Sequence, residues 1–229
     1  MRIIIYGAGE IRFGPGGYDT LGAVEDLYKA AGDQVPVICG QNGVRNEDIA
    51  LRRFAHVYGM LVHLPSDFLE PGIVLTHSLK KLGIMDMGCY PRGVDDCVTD
   101  VTDALTDINC SAEPMPDIMR WKYAKLIFNL NNALAAVCPR GSDLAGIRNR
   151  LRAEGRTVLD AAGIGYASEE EVAARPGDLL ENGKVRGVGR SGNSTMQSLM
   201  RGKTDSEADY INGEIVQLGR LHNIPTPAN

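Results

Sequence analysis

The segment Arg2-Ile3-Ile4-Ile5-Tyr6 stops on Gly7-Ala8-Gly9, and no other stretch restricts the fold of this chain as much. An apolar β-branched run reads as a buried strand, and a glycine turn at its end lets the backbone pass tightly into a helix or close to an anion. The pattern then repeats. Asp19 or Thr20 caps a helix through Ala31, with Leu21, Val24, Leu27 and Tyr28 on one face and Gly32 as its stop. Val35 to Cys39 reads as a strand, Asn46 caps a helix through Phe54, and Val57 to Leu64 is a further strand. Strand, helix, strand, helix, strand is the order of a parallel sheet covered by helices. The glycine turn departs from G-x-G-x-x-G, since Arg12 stands where the third glycine belongs, ahead of Gly14-Pro15-Gly16-Gly17.

Beyond Leu64 the character changes. Pro65-Ser66-Asp67 and Glu70-Pro71-Gly72 are turn chemistry flanking Ile73 to Ser78, which with Ile84 to Cys89 reads as a hairpin. A helix over Val94 to Leu105 and a short strand at Cys110 to Ala112 precede Pro114 and Pro116, the expected domain boundary. The rest is helical. One helix is expected from Pro116 to Val137, a second from Ser142 to about Gly163, and a short one opened by the capping-box pair Ser168 and Glu171. Helices over Ser194 to Met200 and Glu207 to His222 follow a glycine-rich loop. Residues 1–114 are thus expected to form an α/β domain and residues 115–229 an all-α domain, with a site in the cleft between them.

Composition narrows the function. The chain has 229 residues, 44% of them hydrophobic, and a net charge of -5 without any basic block, so nucleic acid is not expected as a partner. No apolar run reaches the ~18 residues of a membrane span, and the first residues read as strand and not as a leader, so a cytoplasmic protein is expected. Five scattered cysteines and four unclustered histidines suggest neither disulfides nor a metal site, and His56 and His63 read as structural.

The helix Leu126 to Val137 is apolar apart from three asparagines, which are poor helix formers and costly to bury alone. Lys125, Asn129 and Asn132 fall at i, i+4 and i+7 on one face, with Ile127, Leu130, Leu134 and Val137 on another. Either Lys125 snorkels to solvent and the asparagines bond to backbone, or the stripe faces a cleft. In the second case a desolvated lysine can protonate a forming alkoxide while amides hold an acid in register. Ser194 and Thr195 at a helix start are caps or ligand hydroxyls, and Glu207 and Asp209 suit the start of the next helix. Asn42, in a Q-N-G turn after a parallel-type strand, stands where such sheets bind ligands.

In this order, IIIYGAGEI, QNGVRNED, WKYAKLIFNLNNALAA, NSTMQSL, EADYINGEIV and IPTPAN resemble the ketopantoate reductase (2-dehydropantoate 2-reductase) family over nearly the whole chain. The resemblance implies a Rossmann-like, mostly parallel sheet domain followed by a helical domain, and NADPH-dependent reduction of 2-dehydropantoate to pantoate. It implies Lys125 as proton donor, and Asn42, Asn129, Asn132, Ser194 and Thr195 as substrate contacts. It further implies Gly7, Ala8, Gly9, Glu10, Ile11, Arg12, Asn42 and Glu207 as NADP(H) contacts, and no metal.

Relative to that family, several tens of residues are absent between Ile11 and Tyr18, which truncates the sheet, and the family's terminal helix is absent after Asn229. Gly16 stands at a cofactor-facing lysine, and Arg140 at a family asparagine. Weakened cofactor binding follows, because pyrophosphate needs close backbone approach and a helix N-terminus behind it. Two alternatives to the reductase are therefore a remnant that binds an acid without hydride transfer, and a reductase of another small 2-oxo acid. Edges left by the truncated sheet make a homodimer a candidate assembly.

Overall fold

The computed structural model describes residues 4–6 and 20–229, without 71, 140, 178, 186, 188, 201 and 203–206, and describes 4–6, 20, 68 and 69 through their backbone alone. The glycine turn with Gly7, Ala8, Gly9, Glu10, Ile11 and Arg12, together with Gly16, Asp19 and Arg140, lies outside the described residues. Strand β1 (Ile4–Tyr6) is followed by α1 (Thr20–Ala31), β2 (Val37–Cys39), α2 (Asn46–Leu51) and β3 (Val57–His63). Then come β4 (Ser66–Glu70), β5 (Ile73–Thr76), β6 (Ile84–Cys89) and α3 (Asp96–Asp107). The remaining helices are α4 (Ile118–Asn129), α5 (Asn132–Val137), α6 (Ala145–Ala161), α7 (Glu169–Ala174), α8 (Ser194–Met200) and α9 (Ala208–His222).

One sheet has the order β1-β2-β3-β6, with β1·β2 and β2·β3 parallel and β3·β6 antiparallel. Buried Val37, Ile38, Cys39, Val57, Tyr58, Met60 and Met87 fill its two faces against α1 and α2 on one side and α3 on the other. Helix α1 ends as expected at Gly32, whose φ of +74° suits a residue without a Cβ. Its buried stripe is narrower than the sequence suggests. Ala23 and Val24 are buried with Leu27 against them, while Leu21 and Tyr28 are exposed.

Residues 66–70, read from sequence as a turn, form β4 and pair antiparallel with β5, so the hairpin is β4–β5 and β6 pairs with β3 instead. The reason lies in Asp67. Its buried carboxylate accepts from Gln197 Nε2 at 2.8 Å and Ser191 N at 2.9 Å and lies 3.2 Å from His77 Nε2, partners that local sequence does not reveal.

The chain from Ser111 to Pro116 runs along β6 and sets the start of α4, with Met115 N donating to Met87 O at 2.7 Å. Gly88 permits this approach, because a Cβ there would collide with Met115 O. Gly88→Ala is expected to lower stability by about 1–3 kcal/mol, read from its urea midpoint, since backbone must move to admit the methyl. An unchanged midpoint would contradict this packing.

The single helix expected from Pro116 to Val137 is two helices. Leu130 N bonds three residues back to Ile127 O, Leu130 O accepts from Asn212 Nδ2 at 2.9 Å, and Asn131 Oδ1 accepts from Arg152 Nη2 at 3.3 Å. Tertiary donors thus satisfy the groups that the break frees. Leu126, Ile127 and Leu130 pack with Leu151, Val158, Leu159, Ile211 and Ile215 into the core of the helical part, whereas Val137 is exposed. Helix α6 begins at Ala145, with Leu144 and not Ser142 as its cap residue, and the capping box of Ser168 and Glu171 opens α7. Arg175, just past α7, reaches back to β6, where its Nε and Nη2 donate to buried Asp86 at 2.9 and 2.5 Å. Among the described residues no helix is long and apolar enough to cross a membrane.

Candidate active site

Helix α4 crosses the carboxyl ends of the parallel strands, and two of its lysines bond to strand backbone there. Lys125 Nζ donates to Val62 O near the end of β3, and Lys122 Nζ donates to Cys39 O at the end of β2 at 3.0 Å. Desolvation brings the Lys125 ammonium down to about 7, with Lys122 and Arg190 pushing the same way and Glu207 opposing. His63, beside Val62, is lowered to about 4 by burial and then by Lys125 and Arg175, which leaves it neutral at pH 7.

Asn42, in the turn after β2, donates through Nδ2 to Glu207 Oε2 at 3.2 Å and to Ser194 Oγ at 3.5 Å. Ser194 Oγ also donates to Glu207 Oε2 at 3.2 Å. Three segments far apart in sequence therefore share one polar cluster, and Glu207 couples it electrostatically to Lys125. Ser194 is released for this because Asn193 caps α8, its Oδ1 accepting from Met196 N at 2.8 Å.

Asn129, one turn beyond Lys125, is buried. Asn132 belongs to the separate helix α5; it too is buried, and its carbonyl accepts from Asn193 Nδ2 at 3.0 Å. Thr195 is buried in α8, which packs on α5. The asparagine stripe is thus carried by two helices, and the structure gives Asn129, Asn132 and Thr195 no side-chain bond to the Asn42 cluster.

Several residues of this region carry no strong local signal. Lys122 and Glu47 form an almost fully buried ion pair, and Arg190 lies in the segment leading to α8. Gln41, next to Asn42, buries both side-chain amide atoms without a partner among the described residues. Buried polar atoms are rarely left so, and a donor and an acceptor at the strand ends suit a polar ligand such as the amide or ribose of a nucleotide. In this respect the residues present fit a nicotinamide nucleotide. Among the described residues no group of His, Cys, Asp and Glu could hold a metal ion, and the five cysteines are free thiols.

A Rossmann-like sheet, with a lysine-bearing helix laid across its strand ends and a helical second half, defines a class of two-part α/β proteins. Residues 117–229 match the family described as "Ketopantoate reductase PanE/ApbA C terminal". A curated 2-dehydropantoate 2-reductase of Pyrococcus horikoshii is 26% identical over 92% of this chain and 68% of its own length. The crystal structure of a PanE/ApbA family ketopantoate reductase from Ralstonia eutropha superposes with a TM-score of 0.70 at 26% identity, over 92% of this chain and 68% of that one. D-mandelate dehydrogenase in complex with NADH shares the fold, with a TM-score of 0.71 at 19% identity over 91% of this chain and 71% of that one. The helical half of the chain is thus matched by the ketopantoate reductase family, and the chain spans about two thirds of the length of these relatives.

Proposed function

We propose that the protein is an NADPH-dependent reductase of 2-dehydropantoate, acting in the cytoplasm, with its α/β and helical domains meeting near residue 115. The observation that carries this reading is the convergence of the near-neutral Lys125 ammonium with the Asn42–Ser194–Glu207 cluster at the ends of β2 and β3.

A reduced nicotinamide, when bound, supplies the hydride for the keto carbon. Gly7, Ala8, Gly9, Glu10, Ile11, Arg12, Asn42 and Glu207 are the residues assigned to hold it, with Gln41 added by its unpartnered amide. As negative charge grows on the keto oxygen, Lys125 Nζ donates the proton. Its bond to Val62 O restrains the side chain in advance, so less freedom is lost in reaching the transition state. Asn129, Asn132, Ser194 and Thr195 supply amides and hydroxyls for the carboxylate and hydroxyls of the acid. Arg190, close enough to depress Lys125, adds positive potential for an anionic substrate.

The donor must be protonated, and its ammonium titrates at about 7. In a profile of kcat/KM against pH, activity is therefore expected to hold below that value and to fall as pH rises through it. A profile flat from pH 6 to 9 would remove Lys125 as the acid.

The competing reading is an acid-binding relative without hydride transfer. It is favoured by the gap after Ile11, where the family resemblance places further sheet. Titration of NADPH fluorescence with the purified protein separates the two. Micromolar binding together with oxidation of NADPH by 2-dehydropantoate supports the reductase, and absence of binding up to millimolar supports the other. Turnover with a different 2-oxo acid alone would keep the chemistry and change the substrate. A homodimer is the assembly proposed.

A further inference from the structure

The ion pair of Lys122 and Glu47 has no part in the proton transfer described above, yet it is the most deeply buried pair of opposite charges among the described residues. Lys122 is 2% exposed and Glu47 0%. Lys122 comes from α4 and Glu47 from α2, and the lysine also bonds to the last carbonyl of β2. Lys125 follows three positions later on the same helix, which makes it a surface neighbour of Lys122, and bonds to a carbonyl of the adjacent strand β3.

Such a pair is a poor device for stability. Burying two charges costs roughly what their attraction returns, and an apolar pair of similar volume commonly holds a protein as well or better. Here the return is incomplete, because Glu47 Oε2 is buried without a partner among the described residues. An apolar pair would clamp α4 to β2 equally well. It would not place a positive charge one helical turn from Lys125.

We infer that the Lys122–Glu47 pair is a positioning unit for Lys125, docking α4 on the end of β2 while holding a second ammonium beside the proton donor. The inference rests on Lys125 being that donor, as proposed above. The groups that face Lys125 are Lys122 on α4, His63 at the end of β3, Arg190 before α8 and Glu207 before α9. His63 is neutral at pH 7, Glu207 opposes the shift, and Arg190 comes from an exposed residue. Desolvation lowers the Lys125 ammonium most, and Lys122 is the fixed, solvent-excluded charge that adds to that lowering. Glu47 supplies the opposite charge that accompanies Lys122 into its buried position.

The test is the double variant Lys122→Met/Glu47→Leu, which removes both charges and leaves no unpaired ion. The reactivity of Lys125 toward acetic anhydride is followed against pH by mass spectrometry of the full chain, and the alkaline limb of kcat/KM is followed in parallel. The Lys125 midpoint is expected to move up by about one pH unit, a tenfold rise in proton affinity. Lys122→Arg, which keeps the charge, is expected to leave it in place. If the double variant does not fold, Lys122→Gln/Glu47→Gln replaces it, with two amides able to bond to one another.

An unmoved midpoint in a folded charge-free variant overturns the inference, as does an equal upward shift in Lys122→Arg. The labelling readout needs no turnover. A shifted midpoint in a protein without reductase activity would retire the functional reading and leave the charge coupling standing, whereas normal turnover with an unmoved midpoint would do the reverse.

Discussion

Lys125→Met is expected to lower kcat for 2-dehydropantoate by about 10²- to 10⁴-fold, the usual contribution of a positioned general acid. Methionine keeps an unbranched apolar stem but has neither a proton to give nor a donor for Val62 O. The loss should fall on kcat more than on KM, because the acid is assigned to amides and hydroxyls while the lysine acts on charge that develops only in the transition state. The thermal midpoint should stay close to that of the parent, since Lys125 is half-buried and its bond is to the Val62 carbonyl, not to an ionised partner. Steady-state oxidation of NADPH and a melting curve decide the matter. Parent-like turnover in a folded Lys125→Met protein would end the assignment.

The largest effect on stability is expected from Arg175→Met, at about 3–5 kcal/mol. Asp86 is fully buried in β6, and Arg175 is its cationic partner, with Ser111 Oγ accepting from the same guanidinium at 3.2 Å. Burial already holds the Asp86 carboxyl above its ordinary value, against the opposing pull of Arg175 and the Glu113 N–H. Removing the guanidinium raises it further. The folded state then binds more protons than the unfolded state between the ordinary carboxylate range and the raised value, so stability falls as pH rises through that window. The deficit is therefore expected to be greatest at neutral pH and to shrink on acidification. Urea unfolding at several pH values measures it, and a deficit independent of pH would mean that Asp86 is not the group left uncompensated.

Residue type made the candidate cluster readable wherever it conflicted with local pattern. A lysine followed by asparagines in an apolar helix, and an asparagine in the turn after a parallel strand, needed explaining in any fold. Lys122 gave no such signal. It stands beside Trp121 like any helix-surface lysine, and its burial depends on Glu47, 75 positions away. Gln41 looked like a plain turn residue. The same contrast runs through the fold. Alternating strands and helices were evident in apolar runs and glycine stops, because both are local. The break at Leu130 and the strand at Ser66 were not, because they rest on Asn212, Arg152 and Gln197 arriving from elsewhere in the chain. Pattern alone favours one continuous helix and a turn at those places.

Among the described residues, the groups set against the Lys125 ammonium come from residue 62 onward: the Val62 carbonyl, Lys122, Arg190 and Glu207. The described part of the opening strand supplies a parallel neighbour for β2. The described surroundings of the proposed proton donor are therefore built from chain that follows β2, and a change in that chain acts on Lys125 without passing through the opening strand.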